Sequence, residues 1–362
     1  MVSAGFWPAV GGAERQALEL SRELRARGAG VLVLTRRVGT SASREEVHGV
    51  PVRRLRVLGT GALDSLSFLF GALGWLLKHG GEYDAIHAHL AGSPALAAAL
   101  AGRWLGKPVL VKLGGGRGIG ELAASSRTAL GRLKLRLLAL LRPRFLAVVP
   151  DLADEAREHL GAAAIEVLPN GVDTGRFRPV SPEEKKALRA KLGWSGTVFL
   201  YTGRLSWEKR LPWFAELWEK AAGGKDAMLV LAGEGSEIIP VRRNVRVLDF
   251  VEDAAHLYAA ADVFVLPSVS EGLSNSLLEA MASGLPVVAS AVGGTAQTLA
   301  HDQTGLLFEK DDGPGAAGQI ERILNDNELR TRLGAAARLE VERRYSIARV
   351  VERLLELYRR KL

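Results

Sequence analysis

The sequence predicts an α/β protein made of two Rossmann-like, doubly wound domains that face a central cleft. Apolar runs of strand length alternate with helical patterns throughout the chain, which is typical of βαβ units. These runs are nearly continuous Val, Leu and Ile, as expected for a parallel sheet that is covered on both faces. A length of 362 residues is enough for two hydrophobic cores, and residues 169–183, with Gly or Pro at five positions, divide the chain nearly in half.

The individual elements follow from the same patterns. In the first half, strands are predicted at 30–35, 52–58, 83–88, 108–113, 145–149 and 165–168, with helices at 13–27, 62–78, 94–105, 124–141 and 151–160. In the second half, strands are predicted at 197–202, 227–232, 245–249, 263–267, 286–289 and 305–308. We therefore expect one domain over residues 1–174 and another over 175–345, with ligands at the carboxyl ends of their strands.

The composition excludes several kinds of site. The chain has no cysteine, so it has no disulfide, no thiol nucleophile and no Cys-based metal centre. Of its net charge of +8, residues 1–175 carry +7, which indicates an anionic partner such as nucleic acid, an acidic membrane surface or a phosphorylated substrate. Solvated surface cations are the alternative. The sequence shows no signal peptide and no transmembrane stretch, so we expect a cytoplasmic protein.

The segment 271–290 carries the strongest functional pattern. A helix that opens near Ser274, directly after the predicted strand 263–267, presents backbone N–H groups from Ser274 to Leu277 to an anion. Glu271 precedes this helix and Glu279 lies one turn further along it. Two carboxylates that flank an anion-binding helix end describe a nucleotide diphosphate-sugar site better than a metal site. The alternative is an ordinary capped helix with a surface glutamate.

Two cations follow the predicted strand 197–202. Arg204 and Lys209 lie in a strand-to-helix loop, where a guanidinium and an ammonium group could both reach a diphosphate leaving group. As merely solvated cations they would oppose the positive end of the helix dipole, so the functional interpretation is favoured.

Three weaker patterns lie in the first half. Gly11 and Gly12 open the helix at 13–27, where a phosphate, a sugar or a plain turn would each explain them. The glycines of segment 114–120 do not fit the dinucleotide fingerprint, so we expect a flexible substrate loop there, with Gly114 and Gly115 at its start. His87 and His89 face one side of their strand; we expect His87 in the core and His89 lining the cleft, without a metal.

Residues 127–144 form a basic segment with six cations and no acid. Leucines on the opposite face make it a basic amphipathic helix that could lie on an anionic bilayer. A core helix with a solvated basic face is the equal alternative.

Five ordered motifs resemble those of the retaining, GT-B-fold glycosyltransferases of family 4, and together they extend over essentially the whole chain. They are GGAE at 11–14, NGVDTGRF at 170–177, GRLSWEK at 203–209, LAGEG at 231–235 and EGLSNSLLEAMASGLPVVAS at 271–290. The resemblance implies that the last helix, 346–362, packs back on the first domain. It also implies a metal-independent enzyme with no cofactor, and no D-x-D motif occurs in the sequence.

The resemblance also implies roles for individual residues. Arg204 and Lys209 would hold the donor diphosphate, Glu279 the ribose, and Glu271 the hydroxyls of the transferred sugar. Further donor contacts would come from Gly11, Gly12, Gly203, Gly233, Ser274, Asn275, Ser276 and Leu277. Three departures stand out. Only Met1–Phe6 precede Trp7-Pro8, so either the start is late or the first strand is rudimentary, and Gly114–Gly115 occupies the place of a sugar-contacting His, so that His is absent. In the third, Gln297 stands in place of the acid that usually follows the pair Gly293-Gly294.

We therefore expect a retaining glycosyltransferase that moves a sugar from a nucleotide-diphosphate-sugar to a hydroxyl acceptor. The catalytic residues would be Arg204, Lys209 and Glu271, and the acceptor a sugar, a lipid-linked molecule or a polysaccharide of the cell envelope. The alternatives are a GT-B-fold nucleotide-sugar epimerase and a non-catalytic sugar-nucleotide-binding protein. Nucleic-acid binding is not expected, because the basic segments lack interleaved aromatic residues.

Overall fold

The chain divides into two compact units. Unit 1 is Met1–Gly171 with Ile347–Leu362, and unit 2 is Val172–Ser346. The computed structural model describes residues 1–8, 11–161, 164–240 and 242–360, so the last two residues of the predicted helix 346–362 lie outside the described part. The structural boundary falls three residues before the predicted one, and the last helix belongs to unit 1.

Unit 1 contains eight strands and seven helices in its described residues. The strands are β1 (Val2–Ser3), β2 (Val33–Arg36), β3 (Arg44–Val47), β4 (Val50–Leu55), β5 (Ile86–His89), β6 (Val109–Lys112), β7 (Arg144–Ala147) and β8 (Ile165–Val167). The helices are α1 (Gly12–Ala26), α2 (Gly61–Lys78), α3 (Ser93–Leu105), α4 (Glu121–Ser126), α5 (Ala129–Leu141), α6 (Pro150–Leu160) and, at the end of the chain, α14 (Ile347–Arg359). A 3-10 turn spans Gly80–Glu82.

The strands of unit 1 form one sheet in the order β3-β4-β2-β1-β5-β6-β7-β8. All pairings are parallel except that of β3 with β4. The sequence did not predict β3 because its residues, Arg-Glu-Glu-Val, lack an apolar run; it is an edge strand held by the hairpin with β4. Strand β1 has only two residues but is buried in the centre of the sheet.

One face of the unit 1 sheet packs under α1 and α14. Buried leucines of α1, Leu20 and Leu24, meet Leu110 and Leu146 of the sheet and Val350, Val351, Leu354 and Leu357 of α14 in one apolar cluster. The last helix therefore completes the core of unit 1, because its apolar face covers strands that the first 171 residues leave uncovered.

Residues 124–141 were predicted to be one helix, which is wrong. They form the end of α4 and all of α5, separated at Arg127 and Thr128. Thr128 caps α5, since its side-chain oxygen accepts the N–H of Gly131 at 3.0 Å. A capping threonine is a start signal that competes with helix continuation.

Unit 2 contains six strands and seven helices in its described residues. The strands are β9 (Thr197–Thr202), β10 (Ala227–Ala232), β11 (Val245–Leu248), β12 (Val263–Leu266), β13 (Val287–Ser290) and β14 (Leu306–Phe308). The helices are α7 (Pro182–Leu192), α8 (Leu211–Ala222), α9 (Ala255–Ala260), α10 (Asn275–Ala282), α11 (Gly293–Thr298), α12 (Gly313–Asn325) and α13 (Asn327–Arg344). A 3-10 turn spans Trp207–Lys209.

The unit 2 sheet is parallel throughout, in the order β11-β10-β9-β12-β13-β14. Every residue of β10 and β12 is buried, as the continuous apolar runs predict. The chain first builds outward from β9 to β11 and then returns to add β12 on the other side of β9. The strand order reverses between β9 and β12, and such a reversal is where open α/β sheets bind ligands.

Candidate functional site

The two loops that flank the reversal in unit 2 carry the predicted site residues. Gly203, Arg204 and Lys209 follow β9, and Glu271 follows β12. Because β9 and β12 are parallel neighbours, both loops leave the sheet at the same edge. The backbone N–H of Val269 donates to the carbonyl of Glu208 at 2.8 Å and ties the loops together.

Two glycines bring the turns after β9 and β10 into close contact. Gly203 has φ +147° and Gly233 has φ +153°, values at which a side chain is strained. The N–H of Gly203 donates to Ala232 at 3.0 Å, and a Cβ on Gly233 would overlap the carbonyl oxygen of Gly203. These glycines are therefore required by the backbone of this edge, whatever they contact in a ligand.

Lys209 and Glu271 form an ion pair at the centre of this site, beyond the carboxyl ends of β9 and β12. The Lys209 Nζ lies 2.6 Å from Glu271 Oε1, and the hydroxyl of Ser268 donates to the same oxygen at 2.6 Å. The side chain of Glu271 is 9% exposed and that of Lys209 is 16% exposed. The structure thus brings together two predicted site residues that are 62 positions apart. Their opposite charges compensate each other in a partly desolvated setting.

Arg204 is not part of this pair. Its side chain is 73% exposed, and its guanidinium lies 3.8 Å from the carboxylate of Glu208. Only the backbone of Arg204 is fixed, since the hydroxyl of buried Tyr201 donates to its carbonyl oxygen at 2.8 Å. The guanidinium therefore stands at the surface of the edge, where a long side chain can still move.

The N-terminus of α10 is partly occupied by its own capping residue, Ser274. The Ser274 Oγ accepts the N–H of Leu277 at 3.3 Å and lies 2.9 Å from the hydroxyl of Ser276. The expectation that every amide from Ser274 to Leu277 faces an anion is therefore wrong for Leu277, whose N–H is occupied. Asn275 begins the helix between these two serines.

Glu279 lies on α10 and is buried rather than displayed. Only 4% of the residue is exposed, and its Oε2 accepts the hydroxyl of Tyr258 at 2.8 Å. The Tyr258 hydroxyl also contacts the Thr202 hydroxyl in a short hydrogen bond at the end of β9. Sequence reasoning missed Tyr258 and Thr202, since the distances along the chain, 21 and 56 residues, leave no local motif.

In unit 1, Gly11 and Gly12 begin α1, which follows β1. A Cβ on Gly11 would overlap the Glu14 carboxylate, and a Cβ on Gly5 would lie 2.7 Å from the same group. The side chain of Glu14 thus folds over the backbone of both glycines. A side chain on Gly5 or Gly11 would therefore clash with Glu14. Of these three glycines, Gly12 alone is exposed.

His89 does not line an open surface. It ends β5, is 1% exposed, and stacks on His87 with ring centroids 4.7 Å apart. The expectation of an accessible His89 is wrong, because the side chain points under the helices that cover the sheet. His87 is buried as expected, and its Nδ1 lies 2.7 Å from the hydroxyl of Tyr358 on α14.

The glycine-rich loop after β6 is held in place. The Glu121 carboxylate accepts the N–H of Gly114 at 3.1 Å and that of Ala91 at 2.5 Å, while Glu155 accepts that of Gly118 at 3.1 Å. Gly115 has φ +84°, so it needs to be glycine. Burial raises the pKa of Glu121 to about 7. The predicted flexible loop is thus anchored at both ends of the 114–118 segment.

Across the described ranges, no group of three or more His, Cys, Asp or Glu side chains could hold a metal ion. In the same ranges, no helix is both long and apolar enough to span a bilayer.

The two doubly wound units and the edge of unit 2 have the construction of a GT-B glycosyltransferase. Residues 10–176 match the sequence family Glycosyltransferase Family 4, and residues 196–326 match Glycosyl transferases group 1. Among solved structures, that of Anabaena Alr3699/HepE in complex with UDP-glucose superposes with a TM-score of 0.78 at 20% identity and covers 98% of both chains.

Curated relatives extend the match over nearly the whole chain. The 2-deoxystreptamine N-acetyl-D-glucosaminyltransferase of Streptomyces fradiae is 31% identical over 98% of this chain and 92% of its own length. The D-inositol 3-phosphate glycosyltransferase of Frankia alni is 30% identical over 91% and 89%. The chain therefore belongs to the family 4, group 1 glycosyltransferases, and it is a glycosyltransferase with a two-domain Rossmann-like GT-B fold.

The contact between the two glycine turns predicts a large cost of Gly233→Ala. The substitution should lower the free energy of unfolding by about 3–5 kcal/mol, because it combines an unfavourable φ with overlap against Gly203. Gly224→Ala is the matched control, since Gly224 has φ +80° but no neighbour within 4 Å, and should cost about 1–2 kcal/mol. Urea unfolding measures both; equal costs would contradict the contact.

Proposed function

We propose that the protein transfers a sugar, with retention of anomeric configuration, from a nucleoside-diphosphate-sugar to a hydroxyl acceptor without a metal ion. The observation that carries the proposal is the Lys209–Glu271 pair at the strand-order reversal of unit 2. A partly buried ammonium that is held in place by a carboxylate is preorganised for an anionic ligand at the point where such sheets bind one.

Donor capture would use three parts of this edge. Lys209 and the mobile Arg204 would meet the diphosphate, since an ammonium and a forked guanidinium suit phosphate oxygens. The start of α10 adds the positive end of a helix dipole. Glu279 would accept the ribose hydroxyls, with the Tyr258 hydroxyl fixing the orientation of its carboxylate.

The ion pair has a specific consequence for binding. When a diphosphate approaches, Lys209 can share its three N–H donors between the ligand and Glu271, so its charge is not desolvated anew. Glu271 can then accept hydroxyl groups of the transferred sugar with its remaining lone pairs. Ser268 keeps the carboxylate in position throughout, because it binds the same oxygen as Lys209.

The chemistry would be front-face substitution. The bond between the anomeric carbon and the phosphate oxygen breaks, the acceptor oxygen bonds to that carbon on the same face, and the acceptor proton passes to the departing phosphate oxygen. Charge develops on the phosphate, and Lys209 and Arg204 would stabilise it. No side chain needs to act as a base, and atoms and charge balance without a further reactant.

The acceptor would bind to unit 1, whose basic charge favours an anionic, lipid-linked or polysaccharide molecule. The two relatives described above are named for different acceptors, 2-deoxystreptamine and inositol 3-phosphate, so they leave the acceptor of this chain open. Release of free nucleotide only in the presence of an acceptor distinguishes a transferase from an epimerase and from a binding protein.

Removal of the cations should impair turnover more than donor binding. Lys209→Ala and Arg204→Ala are each expected to lower kcat by about 10²–10³, since each removes a cationic donor to the charge that develops on the phosphate. Lys220→Ala, at an exposed lysine of α8, is the control and should leave kcat unchanged. Steady-state kinetics of nucleotide release measure all three variants.

Two results would contradict this role: near-normal kcat in Lys209→Ala, or wild-type activity that EDTA abolishes. Either one would mean that the diphosphate is neutralised by another group.

A second proposal concerns α5, which would place the enzyme at the inner face of the cell membrane. Leu130, Leu133, Leu137 and Leu140 are exposed along α5, and only Leu135 and Leu138 are buried. Phe70 of α2 and Trp104 of α3, a helix that packs against α5, are further exposed apolar side chains of unit 1. Isolated soluble proteins seldom expose so many large apolar side chains in one region.

Arginines accompany the exposed leucines. Arg127, Arg132, Arg136 and Arg142 are exposed, and none has a carboxylate partner among the described residues. Lys134 differs: it turns inward and donates to Ser125 Oγ at 2.6 Å. Exposed leucines beside unneutralised arginines complement an anionic lipid surface, whose headgroups meet the cations while its acyl region meets the leucines.

Charge reversal on α5 should therefore remove binding to anionic vesicles. Arg132→Glu with Arg136→Glu is expected to weaken co-sedimentation with phosphatidylglycerol-containing vesicles at least 30-fold, from about 1 kcal/mol per cation. Arg349→Glu with Arg359→Glu is the control, because it changes the net charge equally on exposed positions of α14. Equal binding of the wild type to neutral and anionic vesicles would reject the proposal.

A further inference from the structure

Three basic side chains of unit 1 are buried without a partner for their terminal nitrogens. The Nε2 atoms of His87 and His89 and the Nζ of Lys112 have no hydrogen-bond partner, and each atom is inaccessible. No carboxylate of the described residues forms an ion pair with any of the three. Natural proteins seldom leave one such group unsatisfied, so three together need an explanation.

The three side chains lie on the same face of the sheet. His87 and His89 are two positions apart on β5, and Lys112 is the register partner of His89 on β6. Leu110, two residues before Lys112, belongs to the cluster under α1 and α14, which identifies the shared face. The three side chains therefore lie together near the carboxyl ends of β5 and β6, beside β1.

The imidazole ring of His87 is already oriented by a hydrogen bond. Tyr358 of α14 reaches His87 Nδ1 at 2.7 Å. When the tyrosine hydroxyl donates to Nδ1, the ring proton lies on Nε2, which leaves an N–H donor without an acceptor. This His87 N–H then lies beside one ring N–H of His89 and the amino group of Lys112, which has three N–H donors in its protonated form.

The surroundings favour the neutral forms of these groups in the absence of a ligand. Burial lowers the pKa of Lys112 to about 7 and lowers the pKa of both histidines well below the usual value, with Lys112 adding to the effect on each. The other ionisable groups that face the cluster are Tyr358 and the amino group of Met1, which donates to Leu32. An anion would reverse these shifts by favouring the protonated forms.

We propose that His89 and Lys112, with His87 as a third donor, form a binding site for an oxyanion within unit 1. The ligand class is the phosphate, sulfate or carboxylate group of a small molecule, since each presents several acceptor oxygens to neighbouring N–H donors. This site is built from residues of unit 1 alone and needs no donor sugar to be tested.

Sulfate is the probe, because its charge does not change near neutral pH. Thermal melting is followed against sulfate concentration, with sodium chloride at equal ionic strength as the reference. The wild type and the control Lys78→Met, at an exposed lysine of α2, should show the same saturable rise in Tm. Lys112→Met should bind sulfate at least tenfold more weakly, and without sulfate it should melt no lower than the wild type.

The pH dependence of sulfate affinity is an independent test of the site. From about pH 6 to about pH 8 the wild-type affinity should fall up to tenfold, since Lys112 loses its proton over this range in the free protein. Affinity that does not change with pH, a sulfate response that is equal in Lys112→Met, or no saturable response in the wild type would overturn the proposal.

Should Lys112→Met fail to fold, imidazole NMR of the wild type answers the same question. Sulfate should then shift the ring nitrogen resonances of two histidines together, identified by His87→Gln and His89→Gln. Unshifted resonances at saturating sulfate would overturn the site. The same titration with a phosphate monoester and with a dicarboxylate distinguishes a phosphate ligand from a carboxylate ligand.

Discussion

The reversal of strand order between β9 and β12 is the constraint on which the site in unit 2 depends. Parallel neighbours deliver their loops to one edge, so Lys209 and Glu271 meet although they are 62 residues apart. The backbone at this edge tolerates no side chain at Gly233. Edge geometry and ion pair are thus parts of one arrangement, and the chemistry that we propose needs both.

Much of the fold was predictable because it rests on local patterns. Continuous apolar runs gave the strands of unit 2 nearly to the residue, since burial on both faces leaves no polar position in β10 or β12. The polar strand β3 was not predictable, because hairpin pairing rather than composition makes it a strand. The break before α5 depended on one threonine cap, which competes with a strong helical pattern.

The candidate site was predictable in its residue types but not in its partners. The sequence indicated Lys209, Glu271 and Glu279, yet the Tyr258–Glu279 bond and the Lys209–Glu271 bond are tertiary contacts without local signal. His89 shows the reverse case: alternation along β5 placed it correctly on one face, but only the packing of α14 shows that this face is buried. Whether a face of a strand is buried depends on the elements that pack on it, and the periodicity of the sequence does not show which elements these are.

The most direct test of the account is calorimetric titration of a panel of nucleoside diphosphates in EDTA, with wild type and Glu279→Gln side by side. Glu279 is chosen because it is buried against Tyr258 and would contact only the ribose. We expect at least one nucleoside diphosphate to bind the wild type without metal. We expect Glu279→Gln to bind it about tenfold more weakly, because a charge-assisted hydrogen bond is lost. Binding that requires a divalent ion, or equal affinity in the two proteins, would contradict it.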